Sequence, residues 1–326
     1  MNEFKMTTPF KITCAEKYVL IQRAFQFDFP AHYTEYDQLT QHEFEQQVHD
    51  QDVIVISELE INKIILKNNP TLKLVALCST GYNHIDLALL HQHGVKVCNI
   101  RNYAGDAVAE HAFTMMMLLI KNFNLQLDAV KAGLWSQGSS AFYLASPIHE
   151  LKNKTLVILG KGEIGQSLAQ KATAFGMHVI FSERKDALMC RSGYVAFEDA
   201  IRQADILSLH CELNAQTQHL MNTDTLAQLK KGSLLINVGR GELIDDVALI
   251  DAIKSGHLAG FATDTLDQEP PAIDHPLLQL QQDCSNVLIT GHIAWATDEA
   301  QQRLFEILQD NINKNMQGIE KNLVLI

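Results

Sequence analysis

Residues 155–165 read TLVILGKGEIG. A short apolar run of strand character leads into glycines at 160, 162 and 165. A segment with apolar Ile164, Leu168, Ala172 and Phe175 follows and reads as a helix. Strand, G-x-G-x-x-G, helix is an order that few folds accommodate. Gly160 can make the tight turn, Gly162 lets a pyrophosphate approach bare backbone, and Gly165 lets helix and strand pack closely. The start of the helix adds free N–H groups and the positive end of a dipole. The pattern predicts a βαβ unit that binds a dinucleotide.

The alternation continues through HVIF (178–181), DILSL (205–209), SLLINV (233–238), GFAT (260–263) and NVLIT (286–290). Apolar strands separated by helical stretches mean a parallel sheet. A second, weaker series includes DVIVIS (52–57), KLVALCS (73–79) and VKVCNI (95–100). A chain of 326 residues has room for two cores. The expected fold is α/β, with two Rossmann-like domains, parallel sheets and a cofactor cleft between them. The cofactor domain is expected over 104–291. The substrate domain is expected over 1–103 and 292–326, with hinges near Tyr103 and His292. GDAVAEHAFTMMMLLIKNFN (105–124) reads as one long helix with Met115, Met116 and Met117 in packing roles. A homodimer is expected to form through it.

The formal net charge of −12 argues against nucleic acid or an anionic membrane as partner. MNEFKMTTPFK lacks a signal-peptide core and no apolar run is long enough to span a membrane, so a cytoplasmic location is expected. Six cysteines without a C-x-x-C pair read as free thiols in a reducing compartment. His91 and His93 read as a polar helix end, and no metal site is expected. His111 reads as helix packing.

Glu183 ends the second strand of the series, about 20 residues after Gly160, where the dinucleotide fingerprint places an acid for the adenosine ribose. It favours NAD(H) over NADP(H). Arg184 and Lys185 follow at once and offer charge to a 2′-phosphate. In open α/β sheets, ligands lie beyond the carboxyl ends of the strands. Arg240 stands there between two glycines, in NVGRGELIDD. Asp264 and Glu269 follow GFAT, and His292 follows NVLIT. Reducing a 2-oxo acid needs a cation for its carboxylate, an acid for the carbonyl oxygen and a hydride. Arginine offers a planar fork, histidine exchanges a proton near neutral pH, and an adjacent Glu favours imidazolium.

At these residues the chain resembles the D-isomer-specific 2-hydroxyacid dehydrogenases. GKGEIG, LHCELNAQT, INVGRGELID, DTLDQEPP and GHIAWAT match that family in order and spacing, over about residues 52–303. The resemblance implies that Arg240 binds the substrate carboxylate and carbonyl, that His292 is the acid/base and that Glu269 is its partner. It implies that Asp264 holds the nicotinamide carboxamide and that amides near Thr80 and Gly81, in STGYNHID, receive the substrate carboxylate. The cofactor-binding set is then Gly160, Gly162, Glu163, Ile164, Gly165, Glu183, Arg184, Cys211, Val238 and Asp264. Trp295 is a candidate wall of the substrate pocket. FYLASPIHELKNKT and HIAW look most like glycerate dehydrogenases, also called hydroxypyruvate reductases. The implied activity is NAD(P)-dependent reduction of a small 2-oxo acid, hydroxypyruvate or glyoxylate. The alternatives are a lactate or bulkier 2-oxo acid dehydrogenase, or an NAD(H)-sensing corepressor. Gly291 and Glu212 stand where the family usually has proline. Gly291 predicts a looser backbone before His292, and Glu212 adds negative charge near the expected adenine site.

Overall fold

The computed structural model describes residues 8–20 and 23–325. The chain divides into two compact units, Met1–Tyr103 with Thr297–Ile326, and Ala104–Ala296. The second crossing lies after Ala296, so His292–Ala296 belong to the larger unit. Among the described residues, no helix is long and apolar enough to cross a membrane.

The smaller unit holds five parallel strands: β1 (Phe10–Cys14), β2 (Ala31–Glu35), β3 (Val53–Ile56), β4 (Leu74–Leu77) and β5 (Lys96–Cys98). Their order is β2-β1-β3-β4-β5. β3 and β4, VIVI and LVAL, are buried throughout, as strands covered on both faces must be. The sequence pattern did not announce β1 and β2. β2 reads AHYTE and lies at the sheet edge with no fully buried residue, so it carries little apolar signal.

The larger unit holds β6 (Thr155–Leu159), β7 (His178–Ser182), β8 (Ile206–Leu209), β9 (Ser233–Asn237), β10 (Leu258–Thr263) and β11 (Val287–Ile289). All neighbours are parallel, in the order β11-β10-β9-β8-β6-β7. Strand order reverses between β6 and β8, the position where such sheets open a crevice for ligands. The helix Gly105–Ile120 packs against the helix Glu163–Ala174 and strands β9 and β10. It does not run on to residue 124. Asn122 takes a left-handed conformation (φ 46°), and its amide donates to the Pro147 carbonyl at 2.6 Å. A separate helix, Phe123–Lys131, begins there. Asn tolerates this conformation better than most residues, and a helix cannot pass through it.

Candidate active site

Six of the strand ends expected to carry ligand-facing residues belong to the larger unit, and one, after β4, belongs to the smaller. After β6, Gly160 adopts φ 104° and its backbone lies against His210 and Cys211. A Cβ there would meet the His210 carbonyl oxygen at 2.5 Å. Gly165 lies so close to Gly160 that a Cβ would fall 2.1 Å from the Gly160 oxygen. Gly162 differs: a Cβ would meet nothing within 4 Å. Two glycines therefore serve packing, while the third leaves open space at the start of the helix Glu163–Ala174. That space fits a pyrophosphate approaching the helix N-terminus. Glu163 turns away and rests on Gly105. Ile164 is half-buried in the first turn, and Val238 is buried after β9. The Cys211 thiol is pushed up to about 11 by burial, which keeps it protonated and unreactive near neutral pH.

The loop after β9 is built around Asn237, which is fully buried. Its Nδ2 donates to the Arg240 carbonyl (2.9 Å), and its Oδ1 accepts from the Gly239 amide (3.0 Å). Gly241 is bare for a reason unrelated to ligand. A Cβ would lie 2.0 Å from the Leu266 carbonyl carbon, because the two loops touch backbone to backbone. The contact seats Arg240 beside the loop that carries Glu269. The Arg240 guanidinium donates one hydrogen bond, to the Gly239 carbonyl at 2.9 Å. Glu269 Oε1 accepts from the Leu266 amide (2.9 Å), and its Oε2 lies 2.6 Å from His292 Nδ1. The Glu269 hydrogen bond raises the proton affinity of His292 above the ordinary histidine value, against burial and Arg240, which lower it. Burial pushes the Glu269 carboxyl up, but His292, the Leu266 amide and Arg240 together bring it below the usual range. Arg240, Glu269 and His292 thus form one electrostatic unit.

His292 itself stands in the left-handed region (φ 56°), which residues with a Cβ seldom occupy. Asp264 holds it there. The His292 amide donates to the Asp264 carbonyl (2.8 Å), and the Ile293 and Ala294 amides donate to its carboxylate (3.0 and 2.8 Å). Thr290 Oγ1 adds a fourth bond at 2.5 Å. The turn after Gly291 is tied to Asp264 at three consecutive amides. Asp264 is 2% exposed and keeps about one of its four acceptor positions for a ligand. His111 is not simple helix packing. Its Nε2 lies 3.0 Å from Thr290 Oγ1 and 3.6 Å from Asp264 Oδ1, which joins it to the support of the His292 turn. Sequence reasoning missed Asn237, Thr290 and this role of His111; an isolated Asn or Thr at a strand end carries no distinguishing pattern.

Glu183 directly follows β7, where it was expected, but its carboxylate is engaged by Arg191, an ion pair at 2.7 Å. Arg184 is exposed and Lys185 half-buried in the turn that follows. In the smaller unit, Thr80 and Gly81 follow β4 in a turn held through its carbonyls. Asn99 donates to the Thr80 oxygen (2.8 Å) and Ser79 to the Gly81 oxygen (2.7 Å). Trp295 is half-buried in the turn after His292. His91 and His93 are exposed at the end of the helix Leu87–Gln92. One group among the described residues has metal-ligand spacing: Asp246, Asp267 and His275. His275 Nδ1 accepts from the Leu277 amide (3.2 Å), so Nε2 carries the proton and gives it to Asp267 Oδ1 (2.8 Å). A ring bound in this way has no lone pair left for a metal.

Residues 113–294 match the model of the D-isomer specific 2-hydroxyacid dehydrogenase, NAD binding domain. The chain belongs to the D-isomer-specific 2-hydroxyacid dehydrogenase family. It is 33% identical over 300 residues to a glycerate dehydrogenase of Methylorubrum extorquens, covering 92% of this chain and 94% of that one. It is 34% identical over 272 residues to a glyoxylate reductase of Thermococcus litoralis, covering 81% and 80%. The crystal structure of D-lactate dehydrogenase from Aquifex aeolicus, complexed with NAD and lactic acid, superposes with a TM-score of 0.75 at 26% identity, covering 94% and 96%. This D-2-hydroxyacid dehydrogenase is therefore an NAD-dependent oxidoreductase that acts on a small 2-hydroxy or 2-oxo acid. Its two parallel-sheet α/β units are those expected from the sequence.

Proposed function

We propose that this dehydrogenase reduces hydroxypyruvate to D-glycerate, with glyoxylate as its next best substrate. The observation that carries the reading is the His292–Glu269 pair at 2.6 Å beside Arg240, beyond the carboxyl ends of the neighbouring strands β9, β10 and β11. Glycerate dehydrogenase and glyoxylate reductase among the relatives support a short substrate. A ring at Trp295, three residues past His292, would limit side-chain space if it lines the pocket.

Arg240 takes the carboxylate and carbonyl oxygen of the 2-oxo acid with its fork. When bound, the nicotinamide cofactor supplies the hydride for reduction or accepts it in the reverse direction. His292 holds one proton on Nδ1 against Glu269 and the other on Nε2. It delivers the Nε2 proton to the carbonyl oxygen as that oxygen becomes a hydroxyl. Asp264 keeps the His292 turn in its strained conformation through its carbonyl and carboxylate, which accept from the amides of the turn. The expected preference for NAD(H) rested on an open Glu183, and the engaged carboxylate removes that support. The test is NADH and NADPH oxidation against hydroxypyruvate, glyoxylate, pyruvate and phenylpyruvate. Equal kcat/KM for phenylpyruvate and hydroxypyruvate would rule out a small pocket.

Glu269→Gln checks the pair. Reduction needs protonated His292, so the rate is full at low pH and falls as pH rises through the histidine pKa. Glu269 raises that pKa. Its loss is expected to move the alkaline fall of kcat/KM for reduction to lower pH, and the acid limb of D-glycerate oxidation the same way. A pH profile that stays in place would remove Glu269 from the pair.

The chain is also proposed to form a homodimer, through residues 123–148 and not through the helix before them. Met115 and Met116 are buried inside the larger unit. Phe123, Val130, Trp135, Phe142 and Leu144 are exposed, Phe142 at 78%. An apolar surface of this kind commonly marks self-association. Light scattering is expected to give twice the 36.5 kDa chain mass. Trp135→Glu with Phe142→Glu is expected to halve it; a wild-type monomer would contradict the proposal.

A further inference from the structure

We infer that Arg191 sets the cofactor choice: by occupying Glu183 it makes the adenosine 2′ position accept a phosphate, so NADP(H) binds at least as tightly as NAD(H). The inference rests on the reading that the Gly160–Gly165 turn takes the dinucleotide.

A carboxylate has about four in-plane acceptor positions. Those of Glu183 are all in use. Oε1 accepts from the Arg184 amide (2.8 Å) and from an Arg191 terminal nitrogen (2.7 Å). Oε2 accepts from the Arg191 amide (3.0 Å) and Arg191 Nε (2.8 Å). A ribose hydroxyl could donate to Glu183 only by displacing one of these bonds. The Glu183 side chain is 3% exposed and that of Arg191 is 52% exposed, so a ligand at the end of β7 meets guanidinium before carboxylate.

The surroundings reinforce this polarity. The guanidinium lies 4.1 Å from the Tyr194 ring centroid. Lys161, inside GKGEIG, places its ammonium 5.1 Å from the same ring and 4.8 Å from Phe181. It also lies 3.2 Å from where a Cβ of Gly193 would stand, so glycine there gives the ammonium room. Two aromatic rings thus carry a guanidinium and an ammonium side by side. Arg184 and Lys185 extend the positive turn, against one further carboxylate, exposed Asp186. Among the described residues, Lys161, Arg184 and Lys185 form no ion pair. A planar fork stacked on an aromatic ring is the geometry suited to a phosphate monoester.

The test measures binding without turnover. Wild-type protein is titrated with NADH and NADPH by nucleotide fluorescence, and with 5′-AMP and adenosine 2′,5′-bisphosphate by calorimetry. NADPH is expected to bind at least as tightly as NADH, and the bisphosphate about tenfold or more tighter than AMP. Arg191→Ala removes the phosphate partner and frees Glu183. The ratio of NADPH to NADH affinity is expected to fall about tenfold or more. Arg191→Lys keeps charge without the fork and is expected to lie between. Tighter NADH binding by the wild type, or an unchanged ratio in folded Arg191→Ala, overturns the inference and leaves the dinucleotide reading intact. Binding of neither nucleotide overturns both.

Discussion

Replacing His292 with alanine is expected to lower turnover about 10²–10⁴-fold, the usual contribution of a positioned acid–base group. No other group in the site is placed to do its work. Glu269 is held below the usual carboxylate range and is ionised near neutral pH. Arg240 does not release its proton. The side chain of His292 is 42% exposed, so removing it leaves no core cavity, and the melting temperature should change little. The bonds that the 292–294 amides donate to Asp264 do not involve the His292 side chain and survive the substitution. Substrate and cofactor affinity should change far less than kcat. Added imidazole restoring part of the rate would fit an exposed acid–base position. Wild-type turnover by the folded variant would remove His292 from the chemistry.

Arg240→Lys is expected to raise KM and lower kcat together, by about 10–100-fold in kcat/KM. Lysine keeps the charge but loses the two-pronged bond, and hydrogen bonds to charged groups are worth about 1.5–3 kcal/mol. In the proposed mechanism the fork both binds the acid and aligns its carbonyl, so binding and chemistry are expected to suffer at once. The Arg240 backbone is fixed by Asn237, so the shorter fork cannot recover its reach by moving the loop. Steady-state kinetics with hydroxypyruvate check this. Unchanged kinetics would make Arg240 a structural residue.

Much of this arrangement was legible in the sequence, and the reasons differ by element. Strands β6 to β11 are short apolar runs bounded by polar turns, and both faces of the sheet are covered, so pattern and structure agree within two residues. β2 was invisible because an edge strand has only one neighbour and a polar face. The helix break at Asn122 depends on one left-handed residue whose amide is satisfied by a carbonyl 25 residues away, beyond any local pattern. The strand-end residues Arg240, Glu269 and His292 could be named because each follows an apolar run. Their mutual distance could not, because it depends on Gly241 touching the Leu266 backbone. Glu183 shows the limit most clearly. Its place at the end of β7 follows from the alternation, but its partner arrives eight residues later through an irregular loop. The same holds for His292: its left-handed backbone and the hold of Asp264 appear only in three dimensions.

The central claim is that His292, Glu269 and Arg240 reduce hydroxypyruvate to the D-2-hydroxy acid. The most direct measurement is chiral analysis of the glycerate formed from hydroxypyruvate and reduced cofactor, with hydroxypyruvate also compared with glyoxylate for kcat/KM. Only D-glycerate is expected, formed with the highest kcat/KM of the 2-oxo acids tested and lost with His292→Ala. L-glycerate, a racemic product or no glycerate at all would contradict the account.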